Sequence, residues 1–399
     1  MIWMQVTQAT KINICCCLLY AMYGIVTLTT LGFGVYFLEH FGFSFIGIGT
    51  AMAVSSLIAS ILQRGLGRLQ DARQYSWKNI LIVLNIIMLI SSLAIFIAPP
   101  FMLLILFGVI VVAVGCMYPF LNSAVFYYQH NGIQTNFGVS RGFASLSYMI
   151  GAIIMGNMLL YFGVMVINYF SAISLIIMIA VLYMLPYYGS YETENRRSKL
   201  KDSVLLKYPM FLFCFIAVTL FMIFHNMFMG YLINIFENVG GNIQDVSIAN
   251  SLGALLELPT MFLFSRIMEK VSVKKLIIFA SFCYIIRALI VLFAHSTAGI
   301  YLSFLFHMLS FAIIIPASVQ LTDEIMDKDE KYEGHTLIGS TLTFGAIFSY
   351  FIGGSIIDTY GVNTMLVVLV AITVAGCIFS LIAMRQDIKS YGKFKYFKR

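Results

Sequence analysis

Charged side chains are scarce in this chain. Asp, Glu, Lys and Arg make up 10% of its 399 residues, while 61% are hydrophobic. Soluble domains carry about 25% charged residues, so the composition excludes an ordinary soluble enzyme. The phosphate-cradling segment G-x-x-x-x-G-K-[ST] is missing, which excludes ATP drive within the chain. No gathered basic stripe occurs either: the net charge of +7 is spread over many loops, and nucleic acid is not an expected partner. The acidic run Asp323, Glu324, Asp327, Asp329, Glu330 and Glu333 has no second carboxylate cluster to face it. A Mg²⁺-diphosphate site in a prenyl-transferring membrane enzyme needs both, so the run reads as a solvated loop. All seven cysteines fall within apolar stretches. In the run Cys15-Cys16-Cys17, adjacent helical positions point about 100° apart and cannot converge on one ion. No metal, cofactor or structural disulfide is expected. A cleavable leader pattern is lacking too, because the first apolar segment, Ile12 to Phe37, is too long for a signal core.

What the chain does have is a succession of about twelve apolar stretches, each roughly the 20 residues that a hydrocarbon core of about 30 Å requires. They read 12–38, 44–63, 79–98, 101–127, 135–160, 164–186, 208–236, 244–266, 275–294, 298–322, 336–358 and 362–384. The 24 Lys and Arg residues sort with them. Lys11, Arg64, Arg68, Arg73, Lys78, Arg196, Arg197, Lys199, Lys201, Lys207, Arg266, Lys270, Lys274, Lys275, Lys328 and Lys331 fall in the N-terminal segment or in alternate loops. The tail from Arg385 to Arg399 holds six more, and the intervening loops hold none. Under the positive-inside rule both termini and the central loop lie in the cytoplasm, and the number of spans is even. That central loop divides the chain into an N-terminal six-helix bundle (1–186), a cytoplasmic linker (187–207), a C-terminal six-helix bundle (208–384) and a basic cytoplasmic tail (385–399). Two halves bundled about a midplane cavity are the sequence shape of a rocker-type secondary transporter. Small residues inside spans (Gly142, Ala144, Ser145, Gly151, Gly156; Gly339, Gly345, Gly353, Gly354) suit close helix contact in lipid.

Away from the span ends, charge within the spans is confined to Arg141, Glu257 and Arg287. Each costs at least about 2.5–3.5 kcal/mol in hydrocarbon and needs a partner or a watered cavity. Glu257 lies about 19 Å along its helix from the outer end, Arg287 about 10 Å and His307 about 13 Å along theirs. Neighbouring helices could bring these three together as a set that holds a proton conditionally. Exclusion of water favours the neutral acid and a nearby guanidinium favours the carboxylate, so a rearrangement toggles the proton. A static ion pair fixing helix register is the alternative. Arg141 lies about 10 Å from the inner end of its span, where it either snorkels to the interface or faces the cavity. A cavity-facing Arg141 offers a fork of donors to hydroxyl or carboxylate groups. Asn122, Ser123, Tyr148, His225 and Asn226 are the other polar residues at cavity depth. Tyr148 lies two turns beyond Arg141 on the same helix face, placed to stack against a sugar or base ring.

The segment after span two carries Gly67, Leu69 and Asp71, with Arg73 two residues beyond. It resembles the G-x-L-x-D-[RK] loop of the major facilitator superfamily, except that Ala72 stands where a basic residue is expected. The resemblance implies a cytoplasmic gate formed by Gly67, Asp71 and Arg73, and a carboxylate near helix N-termini is a plausible breakable latch. Most of the chain is similar to one branch, the lactose permease, phenylpropionate permease and nucleoside proton symporters. Asn136 to Ser145 looks like that branch's span-five pattern, whose arginine, here Arg141, binds substrate. Lys274 to Arg287 resembles its span nine, His307-Met308 its span-ten histidine, and Glu257 stands near its span-eight glutamate. Departures matter as well. The span-four glutamate that pairs with the branch's arginine is replaced by Asn122 and Ser123, and Ser310 stands where a glutamate follows the histidine. Lactose itself is therefore not the expected substrate, and Glu257 is the deep carboxylate left to cycle a proton.

Together these readings lead to an all-α membrane protein with 12 transmembrane helices in two six-helix bundles. The expected function is proton-coupled symport of a small polar organic solute, a sugar or glycoside, by alternating access. A nucleoside or aromatic carboxylate symporter, an exporter of the same fold, or a polytopic enzyme or sensor are the alternatives. Arg141, Tyr148, Asn122, Ser123, His225 and Asn226 are expected to bind substrate, with Glu257, Arg287 and His307 coupling protons. The expected partners are the solute, protons and the lipid bilayer, in a monomer of the plasma membrane.

Overall fold

Within a bilayer every backbone N–H and C=O must be satisfied inside the protein, which leaves a spanning chain helix or closed barrel. This chain is helical. The computed structural model describes residues 2–71, 75–189, 204–327 and 330–386, and no strand occurs among them. The helices form two compact units, Met1–Arg196 with Val246–Leu255, and Arg197–Asp245 with Leu256–Arg399.

In the first unit α1 (Ile2–Thr27) passes through a π-helical stretch, Leu28–Gly32, into the short α2 (Gly34–His40). The single span expected over 12–38 is thus interrupted. Phe33 N bonds Leu28 O at 3.0 Å, the wider step of a π-turn, and such turns are frequent at functional sites. There follow α3 (Phe45–Asp71), α4 (Trp77–Ile95), α5 (Pro100–His130), α6 (Phe137–Phe162) and α7 (Val166–Met184). Local sequence sets their starts. The Ser76 hydroxyl accepts from Asn79 N at 3.1 Å and the Asn136 amide from Val139 N at 3.0 Å, satisfying first-turn donors. Pro100 opens α5, where its missing N–H is no loss. The loop expected after span two is instead helix: α3 runs through Gly65 and Gly67 to Asp71, carried by the helix formers Gln63, Arg64, Leu66, Arg68 and Leu69. α1 packs on α6 and α7, α4 on α5 and α7, and α3 on α5.

The second unit holds α8 (Val204–Lys207), α9 (Pro209–Gly230), α10 (Leu232–Glu237), most of α11 (Ile243–Met268), α12 (Val273–Leu292), α13 (Thr297–Ile325) and α14 (Lys331–Arg385). α14 is one helix in name only. Gly361 takes φ 80°, ψ 172°, outside helical space and open to glycine without strain. A methyl built on Gly345 would lie 2.5 Å from Met222 Cβ, and one on Gly376 2.7 Å from a Phe221 ring atom. Positions far before and far after Gly361 therefore reach neighbouring residues of α9, so the chain doubles back at that glycine.

Among the described residues ten helices are long and apolar enough to cross a membrane, with Glu333–Arg385 taken as one. Its two arms add a crossing. α11, at 26 residues, has the length to cross but is not among the ten. The chain is a multi-pass membrane protein.

The acidic run is more than a solvated loop. Asp323 and Glu324 lie inside α13. Lys207 Nζ sits 2.6 Å from Glu330 Oε2 and 3.3 Å from Asp327 Oδ2. The Tyr208 hydroxyl bonds both carboxylates and accepts from Asp327 N at 3.2 Å. Asp323 Oδ1 pairs with Lys331 at 3.3 Å and His335 at 3.1 Å. The hydrogen bond to Glu330 holds the Lys207 amine above its usual range. Asp329 lies outside the described residues.

Candidate functional site

Two groups of polar residues sit inside the bundles, one in each unit. In the second unit Glu257 of α11, Arg287 of α12 and His307 of α13 meet in a row, with the histidine in the middle. Arg287 Nη1 lies 2.9 Å from His307 Nδ1, and His307 Nε2 lies 2.8 Å from Glu257 Oε1. The guanidinium has only donors, so Nδ1 must be a lone pair and accept from it. His307 is thereby fixed as the neutral ring whose Nε2–H donates to the carboxylate. The arginine is 0% exposed and the histidine 1%, whereas the Glu257 side chain is 22% exposed. Of the three, the acid is the partly exposed member.

The rest of the guanidinium is met by rings. Its Cζ lies 4.7 Å from the Phe228 ring centre, 5.4 Å from Phe224 and 5.5 Å from Phe304. Nε and the second terminal nitrogen have no hydrogen-bond partner among the described residues. Aromatic faces attract a cation without accepting its protons in the plane, which is how the buried charge is tolerated. His307 stacks on Phe311 at 5.0 Å, and His225 of α9 stacks on the same ring at 4.0 Å. His225 Nδ1 is buried and unpartnered among the described residues. Asn226, its neighbour, gives its amide hydrogens to Met222 O at 2.8 Å and Leu342 O at 3.5 Å.

In the first unit Arg141 of α6 is exposed, and its Cζ lies 6.0 Å from the centre of the Tyr118 ring on α5. Tyr118 stacks on Tyr23 of α1 at 5.9 Å. Tyr118 precedes the end of α5, His130, by twelve residues, about 18 Å of helix. The guanidinium therefore reaches toward mid-span and does not snorkel out past its own helix end. Tyr20 OH donates to Asn122 Oδ1 at 2.5 Å, and Ser123 Oγ to Pro119 O at 3.0 Å. Tyr148 OH donates to Asn250 Oδ1 at 3.2 Å. Of the expected gate residues, Gly67 lies in α3 with open space about it. The Asp71 side chain and Arg73 lie outside the described residues.

Sequence reading missed the rings: Phe224, Phe228, Phe304 and Phe311 around Arg287 and His307, and Tyr20, Tyr23 and Tyr118 around Arg141. Phe224 and Phe228 stand four apart, and Phe304, His307 and Phe311 three and four apart, which puts each set on one helix face. That spacing was visible, but 35 phenylalanines offer many such pairs.

The Major Facilitator Superfamily profile matches residues 14–332 and 214–393. The chain belongs to this superfamily. The nucleoside transporter NupG, as its D323A mutant, superposes on this facilitator with a TM-score of 0.81 at 16% identity, over 95% of this chain and all of that one. A peptide transporter POT in complex with sulfate gives 0.74 at 12% identity, over 94% of each chain. A bacterial homolog of the human lysosomal transporter Spinster, inward-facing and unoccupied, gives 0.71 at 11%, over 95% of this chain and 97% of that one. At such identities these likenesses speak for the fold. No curated protein matches the sequence of this facilitator.

Proposed function

We propose that this facilitator is a secondary active symporter that couples a small polar organic solute to protons by alternating access. It works in the cytoplasmic membrane with both termini inside. The observation that carries the reading is the row Arg287–His307–Glu257, with two members sealed off and the acid open. With Glu257 ionised the three sum to zero charge. A proton arriving at Glu257 neutralises the carboxylate and leaves the Arg287 charge matched only by rings and a neutral imidazole. An uncompensated buried charge costs several kcal/mol, on the order of 3–5. Protonation thus drives the second unit to rearrange, and discharge of the proton restores the row. His307 transmits the change. It cannot take up the proton at Nδ1 without expelling the guanidinium, since a donor cannot bond a donor.

Purified protein in liposomes provides the test, with a panel of labelled sugars, nucleosides and carboxylates offered under an imposed pH gradient. Glu257→Gln keeps the shape of the row and removes the charge. Expected is retained exchange of solute in counterflow and loss of gradient-driven accumulation to the level of protein-free liposomes. Accumulation that survives the substitution sinks the reading.

A further inference from the structure

The first unit differs from the second in one respect that bears on the solute. Within residues 1–189 the only acids are Glu39, in the last turn of α2, and Asp71, at the last position of α3. Arg141, by contrast, extends its guanidinium to the level of Tyr118, about 18 Å from the end of α5. It makes no ion pair among the described residues, and its Cζ lies 6.0 Å from the Tyr118 ring centre, at the outer limit for cation–π attraction. Arg287 has a compensating carboxylate one imidazole away; Arg141 has none. An exposed guanidinium at that level, with no carboxylate beside it, is open to a bound counter-charge.

The hydrogen-bonding character of its surroundings is equally one-sided. Asn122 is the nearest amide on the Tyr118 face of α5, one turn on. Its carbonyl oxygen is already taken by Tyr20 OH at 2.5 Å, leaving the amide hydrogens to offer. The Ser123 hydroxyl spends its proton on Pro119 O at 3.0 Å. Around Arg141 the first unit presents more donors than acceptors: five guanidinium hydrogens and the Asn122 amide, against the lone pairs left on the Ser123 and Tyr20 hydroxyls. Sugar hydroxyls can receive these hydrogens but bring no negative charge to offset the guanidinium. A carboxylate only accepts, and it matches the planar fork of a guanidinium in two parallel bonds.

We infer that the solute of this carrier is an organic carboxylate anion, with Arg141 as its counter-ion, and not a neutral sugar or nucleoside. The inference rests on the symport reading and fixes the charge of what is carried. It favours the carboxylate alternative over the sugar or glycoside expected first from sequence, where Arg141 stood as a donor to hydroxyl or carboxylate groups alike.

Matched pairs test it: benzoate with benzamide, nicotinate with nicotinamide, and galacturonate with methyl galactoside, together with uridine. Binding to the purified full-length protein at pH 7 is read as a rise in melting temperature with ligand concentration. Expected is binding of a carboxylate in at least one pair, at least tenfold tighter than its neutral partner and than uridine. Arg141→Gln should weaken that carboxylate at least tenfold, with Arg141→Lys intermediate. Asn122→Asp offers Arg141 an internal carboxylate and should weaken the same ligand tenfold or more, in a protein that keeps the arginine. The inference is overturned if neutral members bind as tightly, if no carboxylate binds, or if both Arg141→Gln and Asn122→Asp bind as the wild type does. The coupling reading fails separately: an Arg141-dependent carboxylate that moves without a proton removes symport and leaves the charge assignment standing.

Discussion

His307→Phe isolates the central link of the row in the second unit. Phenylalanine keeps a flat ring to stack on Phe311, now at 5.0 Å from the histidine, and removes both ring nitrogens. Arg287 then loses its hydrogen bond to Nδ1, a charge-assisted contact of about 1.5–3 kcal/mol. Because the guanidinium is 0% exposed, no water replaces the lost partner. The cost moves toward that of a broken buried pair, about 3–5 kcal/mol. The three phenylalanine faces remain in either case, which sets the expected loss at the low end, about 3 kcal/mol. Pairing the change with Arg287→Met removes the stranded charge, and apolar replacement of a whole buried ionic group is often neutral. The double variant should thus recover most of the loss, with a coupling of about 2–3 kcal/mol. Unfolding in mixed micelles on titration with sodium dodecyl sulfate, followed by circular dichroism, gives all four corners of the cycle. A His307→Phe protein as stable as the wild type, or a double variant no better than the sum of the singles, refutes the assignment.

Two further outcomes follow from packing and from charge. Gly345→Ala forces a methyl to within 2.5 Å of Met222 Cβ and 2.7 Å of its backbone carbon, an overpacking worth about 1–3 kcal/mol. An unchanged melting temperature would show that α9 and α14 do not approach so closely. The Lys207 amine is held above its ordinary value by Glu330, so its ion pair contributes fully below the usual lysine value, about 10.4, and fades as pH rises beyond it. Lys207 is exposed, so the contribution is at most about 1 kcal/mol and shrinks with salt. Glu330→Gln should lower stability slightly at neutral pH and reduce that alkaline loss, Asp327 remaining as the second partner, as melting curves between neutral pH and pH above about 10 would reveal.

Architecture was legible where lipid constrains sequence most. Runs of apolar residues and alternating cationic loops give the crossings directly, because hydrocarbon forbids anything else. The depth of Glu257, Arg287 and His307 could be estimated from helix rise alone, and the structure places them within hydrogen-bonding distance. Their order could not be estimated, since rise fixes height and leaves rotation about each axis open. Only the packed helices reveal His307 as the middle member. Helix ends were misjudged where a polar stretch keeps good helix formers, as in Gln63 to Asp71 and at Asp323-Glu324. Breaks were missed where only hydrogen-bond geometry reveals them, as at Leu28–Gly32. Asn226 and Ser123, expected among the substrate-binding residues, both give hydrogens to backbone carbonyls of their own helices. In an apolar span that is the nearest acceptor, and sequence does not tell whether a side chain has been captured by its own helix.

The reversal at Gly361 has a mechanical consequence. The two arms of α14 grip α9 at adjacent residues, Met222 and Phe221, like the jaws of tongs hinged at a single glycine. A hinge of one residue has no slack, so neither jaw can slide past the other. Any travel of α9 along its own length must carry both arms with it, and these three crossings work as one solid lever rather than as separate rods.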